Sequence, residues 1–204
     1  MRTAFRGLRL HRLIVQSVMT VIKPLLVVVT GRPASGKTTL SRLLASTIKC
    51  PLVSRDELKE GYINTFHDLA PASAEDIYKL FFQTIDLLLS GNISIIAEAA
   101  FQHKLWYPQL MPLIDKAAIR MIICETSPKI ATERFTERLA ADPDREKFHG
   151  DSEELLKDAD SSLMNIYQAP NLPVPTLRVD TTKGYQPAMT EIIKFIRSEH
   201  RLVP

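Results

Sequence analysis

The sequence predicts an α/β fold in which a parallel sheet is covered by helices on both faces, and three observations carry that expectation. Short apolar runs alternate with amphipathic helical patterns along the chain. The run Leu25-Leu26-Val27-Val28-Val29-Thr30 is unbroken and rich in β-branched residues, as in a strand buried on both faces. It leads through Gly31-Arg32-Pro33-Ala34-Ser35-Gly36-Lys37-Thr38 into a stretch where Leu40, Leu43, Leu44, Thr47 and Ile48 recur at helical spacing. At 204 residues, 45% hydrophobic and 24% charged, the chain suits one domain with a sizeable core, which sets aside disordered and fibrous classes.

The elements follow in order. Pro51-Leu52-Val53-Ser54 reads as a short second strand, with a helix beginning at Arg55-Asp56-Glu57-Leu58. Ser73 and Asp76 resemble a capping box, opening a helix that carries Ile77, Leu80, Phe81, Ile85, Leu88 and Leu89 to a stop at Gly91. Ile93–Ala97 is a third strand ending at Glu98. A helix is expected around Pro108–Ala117, and Met121–Cys124 is a fourth strand. Ser127-Pro128 supplies an N-cap serine and a first-turn proline for the helix that carries Arg134 and Arg138. The polar segment 141–151 lacks apolar periodicity and is a candidate lid. A helix over 152–166, a proline-punctuated connection through Pro170, Pro173 and Pro175, a fifth strand Thr176–Val179 ending in Asp180, and a closing helix Pro187–Arg197 complete the chain.

Residues 1–22 stand apart from this pattern. Arg2, Arg6, Arg9 and Arg12 lie there without an acid, and they account for more than the whole formal net charge of +3. The nearly neutral remainder, 23–204, offers no general electrostatic footprint for nucleic acid. We read the basic extension as residues translated from an upstream start codon, since Met19 lies just before the first strand; an organellar transit segment and a surface-binding amphipathic helix are the alternatives. No stretch reaches the ~18 apolar residues of a membrane span. Cys50 and Cys124 lack C-x-x-C partners and read as buried free thiols of a reducing, cytoplasmic compartment.

The pattern G-x-x-x-x-G-K-[ST] of Gly31–Thr38 carries a mechanism because strand and helix flank it. Backbone N–H groups at a helix N-terminus cradle phosphates, Lys37 reaches the β and γ oxygens, and the Thr38 hydroxyl is placed to ligate Mg²⁺. In open parallel sheets, ligands bind beyond the carboxyl ends of the strands. Asp56, Glu98 and Asp180 fall there. Asp56 is the candidate general base for an acceptor hydroxyl, with a capping aspartate as the alternative, and Lys59 one turn later is placed to meet an anionic acceptor. Glu98, an acid closing an apolar strand, reads as an indirect Mg²⁺ contact or an acceptor contact. No aspartate follows four apolar residues, so metal binding is expected to rest on Thr38, the nucleotide and water. Arg134 and Arg138, four apart, share a helix face and suit a phosphate clamp, with pairing to Glu133, Glu137 or the acids of the lid as the alternative. Phe66, Phe101, Trp106 and Tyr107 flank the acceptor region. His67, His103 and His149 lack metal-ligand spacing and are expected in solvent.

Taken in this order, the phosphate loop, Ser54-Arg55-Asp56-Glu57, Ile96-Ala97-Glu98-Ala99-Ala100-Phe101 and Arg134-x-x-x-Arg138 make the chain resemble a phosphate-loop kinase, over about Pro24 to Arg197. The group it resembles holds the 5′-polynucleotide kinase domain, chloramphenicol phosphotransferase, the zeta toxins and AAA-type kinases of unassigned substrate. That resemblance implies a three-layer P-loop NTPase fold, a five-stranded parallel sheet of order 2-3-1-4-5 and a small lid. It also implies ATP and Mg²⁺ held by Gly31 through Thr39 with Lys37 and Thr38 foremost, Asp56 activating the acceptor, and Arg138 with Arg134 stabilising the transferring phosphate. Glu98, Lys59 and Phe101 are expected at the acceptor. In the polynucleotide kinase pattern an arginine stands three residues beyond the base; Lys59 is a flexible point charge there, which disfavours a polynucleotide 5′-hydroxyl. The expected function is therefore an ATP- and Mg²⁺-dependent kinase acting on a hydroxyl of a small molecule. Its rivals are a polynucleotide 5′-hydroxyl kinase and a nucleotide-binding regulatory module without transfer activity.

Overall fold

The structure, a computed structural model, describes residues 23–66, 73–142, 148 and 167–198. Five parallel strands form one sheet: β1 (Leu25–Gly31), β2 (Leu52–Ser54), β3 (Ile95–Glu98), β4 (Ala118–Glu125) and β5 (Thr176–Asp180), in the order β2-β3-β1-β4-β5. That is the order the resemblance implies. β1 is central, with Val27 paired to Ile96 of β3 on one side and to Arg120 of β4 on the other. All seven residues of β1 are buried, as an apolar run without alternation requires.

Helices cover both faces: α1 (Lys37–Ile48), α2 (Arg55–Phe66), α3 (Ala74–Ser90), α4 (His103–Leu110), α5 (Pro128–Ala141) and α6 (Met189–Arg197). Because successive strand side chains point to opposite faces, parity decides the environment of each. Leu26 and Val28 join the core beneath α3 and α4 with Ile95, Ala97, Met121 and Trp106. Leu25, Val27 and Val29 join the core beneath α1 and α6 with Ile96, Ile122, Val179 and Ile192. The same parity sends Thr30 toward α4 and Glu98 toward α1, and both matter below.

Local signals explain most boundaries. Ser73 accepts from the Asp76 amide and starts α3, while Ser127 accepts from the Ile130 amide and starts α5. Two elements depart from the sequence expectation. The helix expected around Pro108 begins earlier, at His103, because Trp106 and Leu110 bury on the core; Pro108 sits inside it, and the chain tightens into a 3₁₀ turn at Met111–Leu113. β4 begins at Ala118 rather than Met121 and takes in Arg120, a buried arginine whose guanidinium donates to the carbonyls of Ile119 and Ser198. The basic extension 1–22, the helix expected over 152–166, His67 and His149 lie outside the described residues, as does the candidate lid apart from Ala141, Asp142 and Phe148. Among the described residues no helix is long and apolar enough to cross a membrane.

Candidate active site

The loop that follows β1 is built around two glycines. Gly31 has φ 152°, and a β-carbon there would sit 2.4 Å from the Cys124 carbonyl oxygen and 2.6 Å from Ser35 Oγ. Gly36 has φ 79°, a left-handed conformation that lets the chain turn into α1. α1 starts there with no side-chain cap and no acid in its first turn, so its leading amides and dipole favour an anion. The Lys37 ammonium, 7% exposed, lies under the loop and donates to the Arg32 carbonyl at 2.9 Å. From the far side, Thr181 braces the loop by donating to the Ser35 carbonyl at 2.8 Å, within reach also of the Glu125 carbonyl at 3.0 Å. Ser35 Oγ is buried with no hydrogen-bond partner among the described residues. Tight glycine geometry, an uncapped helix start, a buried ammonium and an unmet hydroxyl together fit a polyphosphate group.

Beside the loop, Glu98 is 2% exposed and its Oε2 is the meeting point of two hydroxyls: Ser54 donates at 3.2 Å and Thr38 at 3.4 Å. Burial pushes the Glu98 carboxyl above the usual glutamate range; Lys37 opposes this, Asp56 adds to it, and the two hydroxyls oppose it. The structure thus sets Glu98, which the sequence offered as an indirect Mg²⁺ contact, directly beside the Thr38 hydroxyl. β3 is short, but its parity delivers a carboxylate to the Thr38 hydroxyl. Among the described residues there is no cluster of three or more His, Cys, Asp or Glu side chains able to hold a metal. A hydroxyl plus one carboxylate, completed by phosphate oxygens and water, fits the partial, oxygen-only protein ligation that Mg²⁺ accepts.

Asp56 stands in the first turn of α2, half-exposed, with Arg55 Nη1 at 3.0 Å from its Oδ1. The capping role belongs to Ser54, which directly precedes the helix and receives the Glu57 amide at 3.5 Å. Asp56 is thus free of the capping function that sequence alone left open. Lys59 follows one turn later, half-buried. Phe101, partly buried, packs edge-on against Trp106 at 5.4 Å and tilted against Tyr78 at 5.5 Å, so Phe101 and Trp106 belong largely to the core. Tyr107 is exposed.

Arg134 and Arg138 share one face of α5 and, with Ala34, Gly36, Lys37, Thr38 and Thr39, enclose a cavity of about 180 Å³ over the loop. Arg134 is also a strut, donating to the carbonyls of Thr181 at 2.7 Å and Thr182 at 3.0 Å. Arg138 lies over the Phe135 ring, 5.5 Å from its centroid. Pro33 and Ala34 complete the loop, with Ala34 at φ 56°. Asp180 does not join this group. It accepts from the Thr182 amide at 2.7 Å, which holds its carboxyl below the usual range, and it faces a separate chamber of about 690 Å³ with Arg32, Glu125, Tyr167 and Arg178.

Three residues that brace the loop or the strand before it escaped sequence reasoning: Thr181, Thr30 and Tyr167. Only Thr30 carried a signal, a lone hydroxyl closing an apolar strand. His103 is half-buried rather than in solvent, and its Nδ1 accepts from the Asn171 amide at 3.2 Å. Cys50 and Cys124 are free thiols; Cys124 is buried and pushed up to about 12 by that burial, whereas Cys50 is only half-buried.

Comparison with known proteins agrees with this fold. The AAA domain family matches residues 26–159. Among solved structures, a candidate kinase from Chloroflexus aurantiacus is 29% identical with a TM-score of 0.71, over 88% of this chain and 100% of that one. A sugar kinase from Janibacter is 16% identical with a TM-score of 0.60, over 89% and 96% of the two chains. The APS kinase of Mycobacterium tuberculosis, solved with AMPPNP and APS, is 18% identical with a TM-score of 0.58, over 86% and 98%. The last two are likenesses of fold. No curated protein matches the chain.

Proposed function

The chain belongs to the AAA domain family, and on that premise we propose that it is an ATP- and Mg²⁺-dependent kinase that phosphorylates a hydroxyl of a small molecule. The fold is that of P-loop kinases. One observation supports the chemistry above the others: Thr38 donates to the buried Glu98 carboxylate, on which the charges of Lys37 and Asp56 both act. A cation to hold phosphate, an oxygen pair to hold metal and a half-exposed acid to take a proton therefore meet beyond the ends of β1, β2 and β3.

Phosphoryl transfer needs positioning and charge neutralisation more than covalent help. Residues Gly31 to Thr39 wrap the phosphates with main-chain amides, and Lys37 exchanges the Arg32 carbonyl for the β and γ oxygens. Thr38, backed by Glu98, would hold Mg²⁺, which when bound would neutralise charge on the phosphate oxygens. Asp56 accepts the acceptor's proton as that oxygen bonds to the γ phosphorus and the bond to the bridging oxygen breaks, releasing ADP; such general-base help is worth roughly 10²–10⁴-fold. Arg138 and Arg134 face the transferring group, and Lys59 and Phe101 border the acceptor.

The test is single-turnover transfer of labelled γ-phosphate to a panel of sugars, polyols and amino alcohols, with 5′-hydroxyl RNA and DNA oligonucleotides alongside. Asp56→Asn is expected to abolish most transfer and leave ATP affinity nearly intact. Full transfer by that variant would falsify the base assignment, and labelling of the oligonucleotides alone would move the acceptor to nucleic acid.

A further inference from the structure

Thr30 is the one polar side chain in β1, it is wholly buried, and every hydrogen-bonding valence of its hydroxyl is used. A hydroxyl has one proton and two lone pairs. The proton goes to the Ala99 carbonyl at 2.8 Å, with the Phe101 carbonyl a more distant acceptor at 3.4 Å. One lone pair takes the indole N–H of Trp106 at 3.1 Å. The other faces the Tyr167 phenol, also at 3.1 Å, so the phenol is the donor there. A valine would fill the same space in this Leu-Leu-Val-Val-Val run, yet the chain keeps the hydroxyl.

Its three partners come from three parts of the site. Ala99 directly follows Glu98. Trp106, on α4, packs against Phe101 at the acceptor side. Tyr167 enters from the segment leading to β5 and also bonds the Gly31 backbone. Thr30 itself precedes Gly31, which is pressed so closely on the Cys124 carbonyl that it has no room for a β-carbon. Two residues on, the Arg32 carbonyl receives the Lys37 ammonium. A phosphate bound in the loop competes for that ammonium, and Gly31, confined as it is, passes the resulting change in the loop back to Thr30 rather than absorbing it.

We infer that Thr30 is a positioning residue through which occupancy of the phosphate loop acts on the acceptor wall, with Tyr167, Thr30 and Trp106 as the linkage. This rests on the nucleotide-binding reading of the loop given above. Trp106 is the chain's single tryptophan, so its emission reports the joint directly.

The experiment titrates the full chain with a non-hydrolysable ATP analogue and Mg²⁺, following Trp106 emission and, in parallel, heat by calorimetry. Wild type is expected to show both signals with one midpoint. Thr30→Ser keeps the hydroxyl and retains the emission response; Thr30→Val and Tyr167→Phe lose that response while still binding nucleotide by calorimetry. Nucleotide binding in wild type with silent Trp106 emission overturns the inference alone, as does a wild-type response in folded Thr30→Val or Tyr167→Phe. Absence of calorimetric binding in wild type overturns the loop assignment and this inference with it. If Thr30→Val does not fold, Tyr167→Phe, which deletes a single phenol oxygen, decides.

Discussion

The Thr38 hydroxyl reaches the Glu98 carboxylate across 3.4 Å, tying the first turn of α1 to the end of β3. A bond between a metal-ligand candidate and a buried acid does more than pack: it orients the hydroxyl and adds negative charge where the proposed divalent cation would sit. Glu98→Gln keeps the volume and the hydrogen bonds but removes the charge. It is expected to leave nucleotide binding without Mg²⁺ unchanged, while lowering Mg²⁺ affinity and Mg²⁺-dependent transfer by roughly 10–100-fold. Calorimetry with and without metal, set beside single-turnover rates, checks both halves.

Gly31 makes a sterner prediction. Its φ of 152° and the 2.4 Å approach of a notional β-carbon to the Cys124 carbonyl leave alanine neither conformation nor space. The Cys124 carbonyl does not yield cheaply, since it is the backbone of β4. Gly31→Ala is expected to cost about 1–3 kcal/mol in urea unfolding and to abolish nucleotide binding in whatever fraction folds. Undiminished stability in that variant would mean the loop leaves β1 by another path.

Stability without function is expected at Arg120. This arginine, 6% exposed within β4, donates to Ser198 at 2.6 Å, just past the end of α6, at the opposite end of the sheet from the loop. Arg120→Ala removes those bonds and opens a cavity, at an expected cost of about 2–4 kcal/mol in chemical unfolding. Nucleotide affinity at a temperature where the variant is folded should match wild type.

What sequence revealed divides along lines of range. Gly31–Thr38 was legible because its geometry is local, set by two glycines and a helix start within eight residues. The sheet order came through the family resemblance, since apolar runs mark strands but not their neighbours. Glu98 was legible as an odd acid but not as the partner of Thr38, for that contact depends on which face of β3 it occupies and on α1 lying over that face. Asp56 looked equally like a cap until Ser54 proved to hold the Glu57 amide. For Arg134 the sequence left open a phosphate clamp or an ion pair with a nearby acid, and it could not offer the carbonyls of Thr181 and Thr182, 47 and 48 residues away, that the side chain meets. Thr181 and Tyr167 left no trace in local pattern, because each acts on a loop more than 130 residues earlier.

Tyr167 supplies the pH dependence. Burial pushes its phenol from 10 up to about 12. Below pH 10 both folded and unfolded chains keep this proton, so the group's contribution is fully present. Between 10 and about 12 the unfolded chain loses the proton and the folded chain retains it, so the unfolded state binds fewer protons and stability falls as pH rises. A shift of that size corresponds to something on the order of 2–3 kcal/mol across the window. Tyr167→Phe gives up the hydrogen bond to Thr30 and is expected to be about 1 kcal/mol less stable at pH 8. Because phenylalanine has no proton to lose, its unfolding midpoint in urea should then decline less steeply than wild type above pH 10. The two curves meet and then cross as the wild-type phenol ionises, because that loss exceeds the starting difference. Parallel curves from pH 8 upward would show that Tyr167 meets water instead of Thr30.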